Sequence, residues 1–151
     1  MIHVGRPAPG FALGNQDGRE VSLEGLRGRW VLLYWYPKAD TPGCTAQAEG
    51  LRDQQEAFDH LGCMIVGASF DDVDAISAFR QKYRLTFDLL ADPTRTAGQA
   101  YGVAGDDGSK DHARRISFLI DPQGVVRRTY EVEDPAFHAE DVLDDLEQLL
   151  G

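Results

Sequence analysis

The sequence predicts an α/β fold in which helices flank a mixed central β-sheet. Apolar runs of strand length alternate with amphipathic helical patterns over residues 30–101, an order typical of parallel strands joined by helices. A strand hairpin and a final helix follow, and they add antiparallel pairs. The 151 residues suit one sizeable core, so we expect a single domain spanning residues 1–151.

The N-terminal part of the chain predicts a small β-hairpin followed by a central strand. The segment from Val4 to Ser22 is rich in proline and glycine, and short apolar pieces at Phe11–Leu13 and Val21–Leu23 favour a hairpin. Residues 30–36 are apolar on both alternating faces, as expected for a strand buried in the middle of a sheet.

The predicted helix after this strand carries Cys44 near its start. Its apolar positions share one face with the cysteine, and Gly62 ends the pattern. We therefore expect one continuous helix from Pro42 to about His60, with the sulfur at its inner edge, facing the core.

The rest of the chain continues the alternation and closes with a hairpin and a helix. The predicted elements are a strand over Met64–Ser69, a helix from Val73 to about Arg84 capped by Asp71 and Asp72, a strand over Phe87–Ala91, a short helix ending near Tyr101, a loop over Gly105–His112, strands over Ile116–Ile120 and Val125–Tyr130, and a last helix over Ala136–Leu150. Asp92 is the predicted N-cap of the short helix, with Pro93 in its first turn.

Cys44 falls where the central strand has ended and the next helix begins. Thr41 is a suitable N-cap, and Pro42 suits the first helical position because its missing N–H would be unpaired there anyway. Backbone donors then surround the sulfur, and the partial positive charge of a helix N-terminus favours the nucleophilic thiolate. The alternative is a small buried apolar side chain, the usual fate of an unpaired cysteine. The cap, the proline and the loop favour a functional cysteine.

Composition and charge exclude several classes of function. The chain has 25 acidic and 15 basic residues, a formal net charge of −10 and a pI near 4.7, which argue against binding nucleic acids or anionic membranes. The first residues lack the apolar core of a signal peptide, and no run approaches the ~20 apolar residues of a membrane span. Two cysteines are too few for a disulfide scaffold. We expect a cytoplasmic protein with free thiols.

The histidines and glycines show no pattern of a metal or cofactor site. His3, His60, His112 and His138 are scattered without ligand spacing, so we expect no metal site. No segment has the spacing of a phosphate-binding loop or a dinucleotide fingerprint, so we expect no cofactor.

Three segments of the chain resemble one known family. They are residues 36–48 (Tyr-Pro-Lys-Ala-Asp-Thr-Pro-Gly-Cys-Thr-Ala-Gln-Ala), 51–53 (Leu-Arg-Asp) and 115–121 (Arg-Ile-Ser-Phe-Leu-Ile-Asp). With residues 4–11 and the final helix, nearly the whole chain resembles a peroxiredoxin of the bacterioferritin-comigratory-protein (PrxQ) subgroup. The resemblance implies a thioredoxin-like fold and a thiol-dependent peroxidase that reduces hydrogen peroxide and organic hydroperoxides.

The resemblance also implies roles for four residues. Cys44 would be the peroxidatic cysteine, which attacks a peroxide oxygen and becomes a sulfenic acid. Pro37 would shield the thiolate, Thr41 would offer its hydroxyl to the sulfur or the peroxide, and Arg115 would stabilise negative charge from a neighbouring strand. Arg114 competes with Arg115 for this assignment, and Thr41 has an alternative role as an N-cap alone.

The chain departs from the family pattern at Glu49. Many members of the subgroup carry a resolving cysteine at this position, five residues after the peroxidatic one. Cys63 is a poor substitute, because a continuous helix rising ~1.5 Å per residue separates it from Cys44 by roughly 24 Å, against the ~7 Å that disulfide Cα atoms allow. We expect a one-cysteine mechanism with an external reductant, either a thioredoxin- or glutaredoxin-like protein or a low-molecular-weight thiol. The resemblance favours a monomer.

Other activities have less support from the sequence. A thioredoxin-type disulfide oxidoreductase needs a second cysteine three residues after Cys44, where Gln47 stands. A Cys-His-Asp hydrolase has no specific motif in its favour, and an inactive scaffold is disfavoured because all four site residues are present. The serious alternative is a peroxide sensor, in which an unresolved Cys44 sulfenic acid passes its oxidation to a partner protein through a mixed disulfide.

Overall fold

A seven-stranded mixed sheet forms the centre of the molecule. The computed structural model describes residues 2–104 and 112–151. Its strands are β1 (Ala12–Asn15), β2 (Glu20–Ser22), β3 (Trp30–Trp35), β4 (Cys63–Ser69), β5 (Asp88–Ala91), β6 (Ile116–Ile120) and β7 (Val126–Glu131). They lie in the order β2-β1-β5-β4-β3-β6-β7, in which β5-β4 and β4-β3 are parallel and the other pairs antiparallel. The predicted mixed sheet is confirmed, with the predicted N-terminal hairpin at one edge.

Helices cover both faces of this sheet. They are α1 (Pro42–Asp53), α2 (Gln55–His60), α3 (Val73–Lys82), α4 (Thr96–Ala100) and α5 (His138–Leu150), with 3-10 turns at Glu24–Leu26 and Pro135–Phe137. Alternate side chains of β3 point to opposite faces. Leu32 and Tyr34 pack with buried residues of α1, α2, α3 and α5, whereas Leu33 and Trp35 pack with a residue of α4. The apolar run of β3 therefore serves two cores.

The central strand delivers the chain to Cys44. β3 lies between β4 and β6, and residues 36–41, which we call the Cys44 loop, lead from its carboxyl end into α1. Because β4 runs parallel to β3, its carboxyl end at Ser69 reaches the same edge of the sheet. β6 runs antiparallel to β3, so its first residue lies at this edge as well, and the ends of three strands meet near the first turn of α1.

The predicted continuous helix from Pro42 to about His60 is wrong in one respect, because it is interrupted at Gln54. The Gln54 N–H donates to the Leu51 carbonyl, a tighter three-residue bond, and its ψ of 11° departs from the helical value. Neither proline nor glycine stands at this position, so the local sequence carries no signal for the interruption.

The short helix after β5 begins later than the sequence predicts. Asp92 and Pro93 do not start it, because Arg95 adopts a left-handed conformation with φ of 63° and α4 begins at Thr96. The Asp92 carboxylate instead reaches over this turn and accepts a hydrogen bond from the Gly98 N–H at 2.7 Å. Asp92 therefore caps the helix from outside its first turn.

The remaining differences concern the last third of the chain. The final helix begins at His138 rather than Ala136, after a 3-10 turn. The predicted loop over Gly105–His112 lies outside the described residues except at its last position. Among the helices of residues 2–104 and 112–151, none has the length and apolar character needed to cross a membrane.

Candidate active site

The Cys44 sulfur lies in the first turn of α1, where two N–H donors point at it. Thr41 occupies the N-cap position and Pro42 the first helical position, as predicted. Cys44 is 1% exposed. The backbone N–H of Lys38 donates to its sulfur at 3.5 Å, and Nη1 of Arg115 donates at 3.6 Å. These donors and the guanidinium charge stabilise negative charge on the sulfur.

Arg115 immediately precedes β6, and its guanidinium contacts both the Cys44 sulfur and the next turn of α1. Its Nη1 also donates to Oε1 of Gln47 at 2.9 Å, one helical turn after Cys44. The guanidinium lies so close to Gly43 that a Cβ at this position would stand 2.8 Å from Nη2. The missing side chain at position 43 therefore lets the arginine approach the first turn of the helix.

Arg114 points to a different part of the molecule. Its Nη2 lies 3.8 Å from a carboxylate oxygen of Glu131, and both side chains are exposed. An ion pair of this kind contributes little to stability. The structure therefore selects Arg115, and not Arg114, as the cation beside the sulfur.

Asp71 ties the Cys44 loop to the end of β4. Its Oδ2 accepts hydrogen bonds from the backbone N–H of Ala39 and from the hydroxyl of Ser69, both at 2.8 Å. Because Ser69 is the last residue of β4, the loop is fixed to the edge of the sheet next to the strand it leaves.

Asp40 makes a second attachment, to the C-terminal end of α3. It adopts a left-handed conformation with φ of 62°, which aspartate tolerates better than most residues. Its carboxylate accepts hydrogen bonds from the Tyr83 hydroxyl at 2.5 Å and from the Lys82 ammonium at 2.9 Å. The hydrogen bonds from Tyr83 and Lys82 hold the pKa of the Asp40 carboxyl below its usual range.

Thr41 and Pro37 complete the loop. The Thr41 hydroxyl donates to the Lys38 carbonyl at 2.7 Å and makes no side-chain bond to the helix, so the predicted side-chain cap is wrong although the position is right. Its oxygen keeps lone pairs that can accept a hydrogen bond. Pro37 is half-buried and directly precedes Lys38, whose N–H points at the sulfur.

Helix α1 is held against its neighbours beyond the first turn. Gly50 packs so closely that an added Cβ would meet the Ala136 carbonyl oxygen at 3.0 Å. Arg52 donates to the Tyr83 carbonyl at 2.6 Å. Glu49, which stands where the resemblance expects a resolving cysteine, lies 3.7 Å from Arg52 in an ion pair. Position 49 therefore carries a carboxylate, on a helix that is held against its neighbours.

Cys63 lies toward the opposite end of the sheet. It begins β4 and pairs with Trp30, the first residue of β3, whereas Cys44 follows the carboxyl end of that strand. Five residue steps from Trp30 to Trp35, at ~3.3 Å each, make about 17 Å, far beyond the ~7 Å limit for disulfide Cα atoms. Both cysteines are free, and burial raises the pKa of the Cys63 thiol to about 12.

Sequence reasoning missed buried polar residues around the site. Gln47 could have been predicted from the sequence, because a residue three positions after Cys44 lies on the same face of the helix. Burial raises the pKa of Tyr34 and Tyr36, which line the same cluster as Cys44, so both hydroxyls stay protonated. His138 meets Ser117 on β6 and gave no local signal, because the two positions are 21 residues apart.

The arrangement is suited to one kind of chemistry. A thiolate held by N–H donors and a guanidinium can attack an electrophile whose leaving group is an oxyanion, because the same donors remain beside the charge as it moves. In residues 2–104 and 112–151 no group of three or more histidine, cysteine or carboxylate side chains is arranged to hold a metal ion.

Comparison with known proteins places this site in a family. A model described as the AhpC/TSA family matches residues 4–129. A putative peroxiredoxin Bcp of Haemophilus influenzae is 40% identical over 98% of each chain, and peroxiredoxin Bcp of Escherichia coli is 38% identical over 97% of each. The crystal structure of peroxidoxin BcpB from Mycobacterium tuberculosis has a TM-score of 0.93 at 30% identity and covers 99% of each chain. A structure of peroxiredoxin Q from Xanthomonas campestris has a TM-score of 0.84 at 30% identity, covering 91% of this chain and 90% of that one.

Proposed function

The chain belongs to the AhpC/TSA family, among the peroxiredoxins of the Bcp/peroxiredoxin Q group, and we propose that it reduces hydrogen peroxide and organic hydroperoxides by a one-cysteine mechanism. Peroxiredoxins are thiol-dependent peroxidases, so the enzyme class follows from the family. The proposal adds the roles of the site residues and the source of the thiol that reduces the Cys44 sulfenic acid. A single-domain monomer acting in the cytoplasm stays a prediction from the sequence.

In the first step the Cys44 thiolate attacks one oxygen of the hydroperoxide. The sulfur–oxygen bond forms as the oxygen–oxygen bond breaks, which oxidises the sulfur by two electrons to a sulfenic acid. The other oxygen leaves with the electron pair of the broken bond and takes up a proton to become water or an alcohol. Negative charge therefore moves from the sulfur to the departing oxygen.

In the proposed mechanism three groups support this movement of charge, and a fourth shields the sulfur from water. The Lys38 N–H and the Arg115 guanidinium already point at the sulfur, so they stabilise the thiolate and remain beside the forming oxyanion. The Thr41 hydroxyl donates its own proton to the Lys38 carbonyl, so its oxygen keeps a lone pair that can accept a hydrogen bond from the O–H of a bound hydroperoxide. Pro37 limits access of water to the sulfur from the loop side.

In the second step an external thiol returns Cys44 to its starting state. Its sulfur attacks the sulfenic sulfur, giving a mixed disulfide and water, and a second thiol then releases Cys44 and leaves as a disulfide. The observation that carries this part of the proposal is the placement of the two cysteines. Cys63 pairs with Trp30 at the start of β3, whereas Cys44 follows the other end of that strand, which is about 17 Å long, and Glu49 stands at the usual position of the resolving cysteine.

Intact-protein mass spectrometry with peptide mapping tests the proposal. The reduced protein is treated with one equivalent of hydrogen peroxide, with and without a dimedone-type trap for sulfenic acids. We expect one trapped adduct on Cys44 and an unmodified Cys63. The Cys63→Ser variant serves as the matched control and should give the same adduct, whereas Cys44→Ser should give none.

Two outcomes would contradict the proposal. A disulfide between Cys44 and Cys63 would show that α1 and α2 unfold during the reaction and that the chain resolves its own sulfenic acid. An unmodified protein would show that Cys44 is not a peroxidatic cysteine. Steady-state turnover with dithiothreitol, and with a thioredoxin or glutaredoxin system in parallel, then identifies the class of reducing thiol.

A peroxide sensor is the second candidate, favoured by the near-complete burial of Cys44. Burial on an anchored helix slows attack by most thiols, so the sulfenic acid persists until one partner protein, whose surface fits the site, brings its own thiol to the sulfur. Rapid catalytic turnover with any of the tested thiols would exclude this role. A single oxidation without turnover, followed by capture of one protein in a mixed disulfide with Cys44, would support it over the peroxidase.

A further inference from the structure

The segment between β7 and α5 touches the surroundings of the reactive sulfur at three points. The Val132 N–H donates to the Arg115 carbonyl at 3.0 Å. A Cβ built on Gly43 would lie 3.9 Å from Pro135, and one built on Gly50 would lie 3.0 Å from the Ala136 carbonyl oxygen. Residues 132–138, which we call the Arg115 clamp, therefore pack against both the arginine and α1.

His138 ends the clamp and begins α5. It is 2% exposed, and its Nε2 lies 2.9 Å from the Ser117 hydroxyl oxygen, within hydrogen-bonding distance. The imidazole ring packs edge-to-face against the Tyr130 ring, with 5.2 Å between the ring centroids and 74° between the ring planes. The Tyr130 hydroxyl in turn donates to Asp145 at 2.7 Å. The imidazole is thus held by a polar partner in β6 and by an aromatic ring in β7 that is itself anchored to α5.

Ser117 transmits this contact to Arg115. It lies two residues after the arginine, at a fully buried position of β6, with Tyr34 of β3 and Tyr130 of β7 directly opposite it. The hydrogen bond with His138 therefore fixes the start of β6 relative to α5. Arg115 emerges from that fixed point and reaches Cys44.

His138 acts as a neutral group. Burial, and secondarily the charge of Arg115, lower the pKa of His138 to about 4. Its nearest polar contact is the Ser117 hydroxyl and not the Cys44 sulfur. A neutral imidazole that bonds to Ser117 points to a role in geometry and not to proton transfer in the peroxide step.

We propose that His138 is a positioning residue that aims Arg115 at Cys44 through its hydrogen bond to Ser117. The inference rests on the proposed function, because it concerns the same sulfur. The Arg115 Nη1 divides its contacts between the sulfur at 3.6 Å and Gln47 at 2.9 Å. A small displacement of β6 would favour the shorter contact and remove the longer one.

Three variants and one control test the inference. His138→Leu removes the hydrogen bond, His138→Gln can replace it, and Ser117→Ala removes the partner. Leu146→Ala is the control, since Leu146 is fully buried in the same helix two turns further on and makes no part of the proposed link. The readouts are the single-turnover rate of Cys44 oxidation by hydrogen peroxide and the ultraviolet titration of its thiolate, both measured on folded protein.

We expect His138→Leu to slow oxidation about tenfold, less than the ~100-fold that a 1 Å misplacement can cost, and to move the thiolate titration to higher pH. His138→Gln should restore most of the rate. Ser117→Ala should behave like His138→Leu, and the double variant should be no slower than either single one, because both break the same link. Leu146→Ala should lower thermal stability and leave the rate and the titration unchanged.

The inference is overturned if His138→Leu keeps the wild-type rate and titration, or if Leu146→Ala loses as much as His138→Leu. Should His138→Leu fail to fold, Ser117→Ala decides the same question with a smaller change. Failure of the proposed function is distinguishable, because the wild-type protein would then not be oxidised at Cys44. The thiolate titration of the variants would still show whether His138 positions the arginine.

Discussion

The two cysteines of this chain have almost the same burial and different surroundings. Cys44 is 1% exposed and Cys63 is 2% exposed, and both pack into the same apolar cluster on one face of the sheet. One begins a helix and the other begins a strand. Their difference indicates why the proposed mechanism assigns the reaction to Cys44 and not to Cys63.

The neighbours of each sulfur explain the difference. The Cys44 sulfur accepts from the Lys38 N–H and the Arg115 guanidinium. The Cys63 thiol instead lies 3.8 Å from the Met64 carbonyl as a donor, a contact that favours the protonated form. Burial raises the pKa of the Cys63 thiol to about 12, and a hydrogen bond with the Leu32 backbone offsets this rise only in part.

Burial by itself therefore does not determine reactivity. The reactive position needs donors that are fixed before the charge appears, and a loop and an arginine supply them at Cys44. A strand start supplies few, because its N–H groups are used in the ladder with neighbouring strands.

The largest effect is expected from Arg115→Gln, which would make Cys44 more like Cys63. Removing one donor to a developing oxyanion costs about 10²–10³ in rate, so we expect oxidation of Cys44 to slow by about this factor. Stopped-flow measurement of the second-order rate with hydrogen peroxide provides the value. Glutamine removes the charge and retains a side chain of moderate length.

Arg114→Gln is the matched control for this experiment. It removes the same charge one residue away, where the guanidinium faces exposed Glu131. We expect a rate within about twofold of the wild type, since an exposed ion pair contributes little. Equal losses for the two variants would mean that general positive potential, and not the contact with the sulfur, controls Cys44.

A smaller effect is expected from Gly43→Ala. An alanine Cβ would stand 2.8 Å from Nη2 of Arg115, so the guanidinium must move away. We expect about a tenfold slower oxidation, well short of the ~100-fold cost of a 1 Å misplacement. The same substitution should stabilise the fold, because alanine is favoured over glycine in a helix by up to ~1 kcal/mol. A slower but equally stable enzyme would separate the two effects.

Gly10→Ala is the control for the added methyl group, because nothing lies within 4 Å of a Cβ built on Gly10. Its oxidation rate should equal that of the wild type. If Gly43→Ala also keeps the wild-type rate, the arginine accommodates the methyl group without losing the sulfur, and the tight approach over Gly43 has no catalytic role.

The part of the site that is local in sequence could be predicted, and the part that depends on distant contacts could not. Thr41 and Pro42 mark the start of α1, so the position of Cys44 in its first turn followed from capping rules. The choice between Arg114 and Arg115 came only from the family resemblance. No local rule indicates which of two adjacent arginines turns toward a residue 71 positions away.

The fold shows the same division. The apolar run of β3 and the turn at residues 121–124 carry strong local signals, and the elements around them were predicted within a residue or two. The interruption at Gln54 and the left-handed Arg95 carry none, because side-chain types at these positions are compatible with a continuing helix. The contact of His138 with Ser117 likewise depends on the packing of α5 against β6.

The smallest expected effect concerns Cys63 and the alkaline stability of the fold. Its folded pKa, about 12, lies above the ~8.5 of an unfolded thiol. Between these values the folded state holds a proton that the unfolded state has lost, so the free energy of unfolding falls as the pH rises, by at most ~1.4 kcal/mol per pH unit. Cys63→Ala should remove this part of the slope.

Urea unfolding between pH 8.5 and 10 measures it, with both proteins in a Cys44→Ser background so that Cys63 is the only titrating thiol. The upper limit avoids the buried tyrosines, whose raised pKa values add a slope of the same sign above pH ~10. We expect the Cys63 protein to lose stability faster than Cys63→Ala across this window. Parallel curves would show that the Cys63 thiol ionises in the fold as easily as in water, and burial would then not distinguish Cys63 from Cys44, the proposed reactive cysteine.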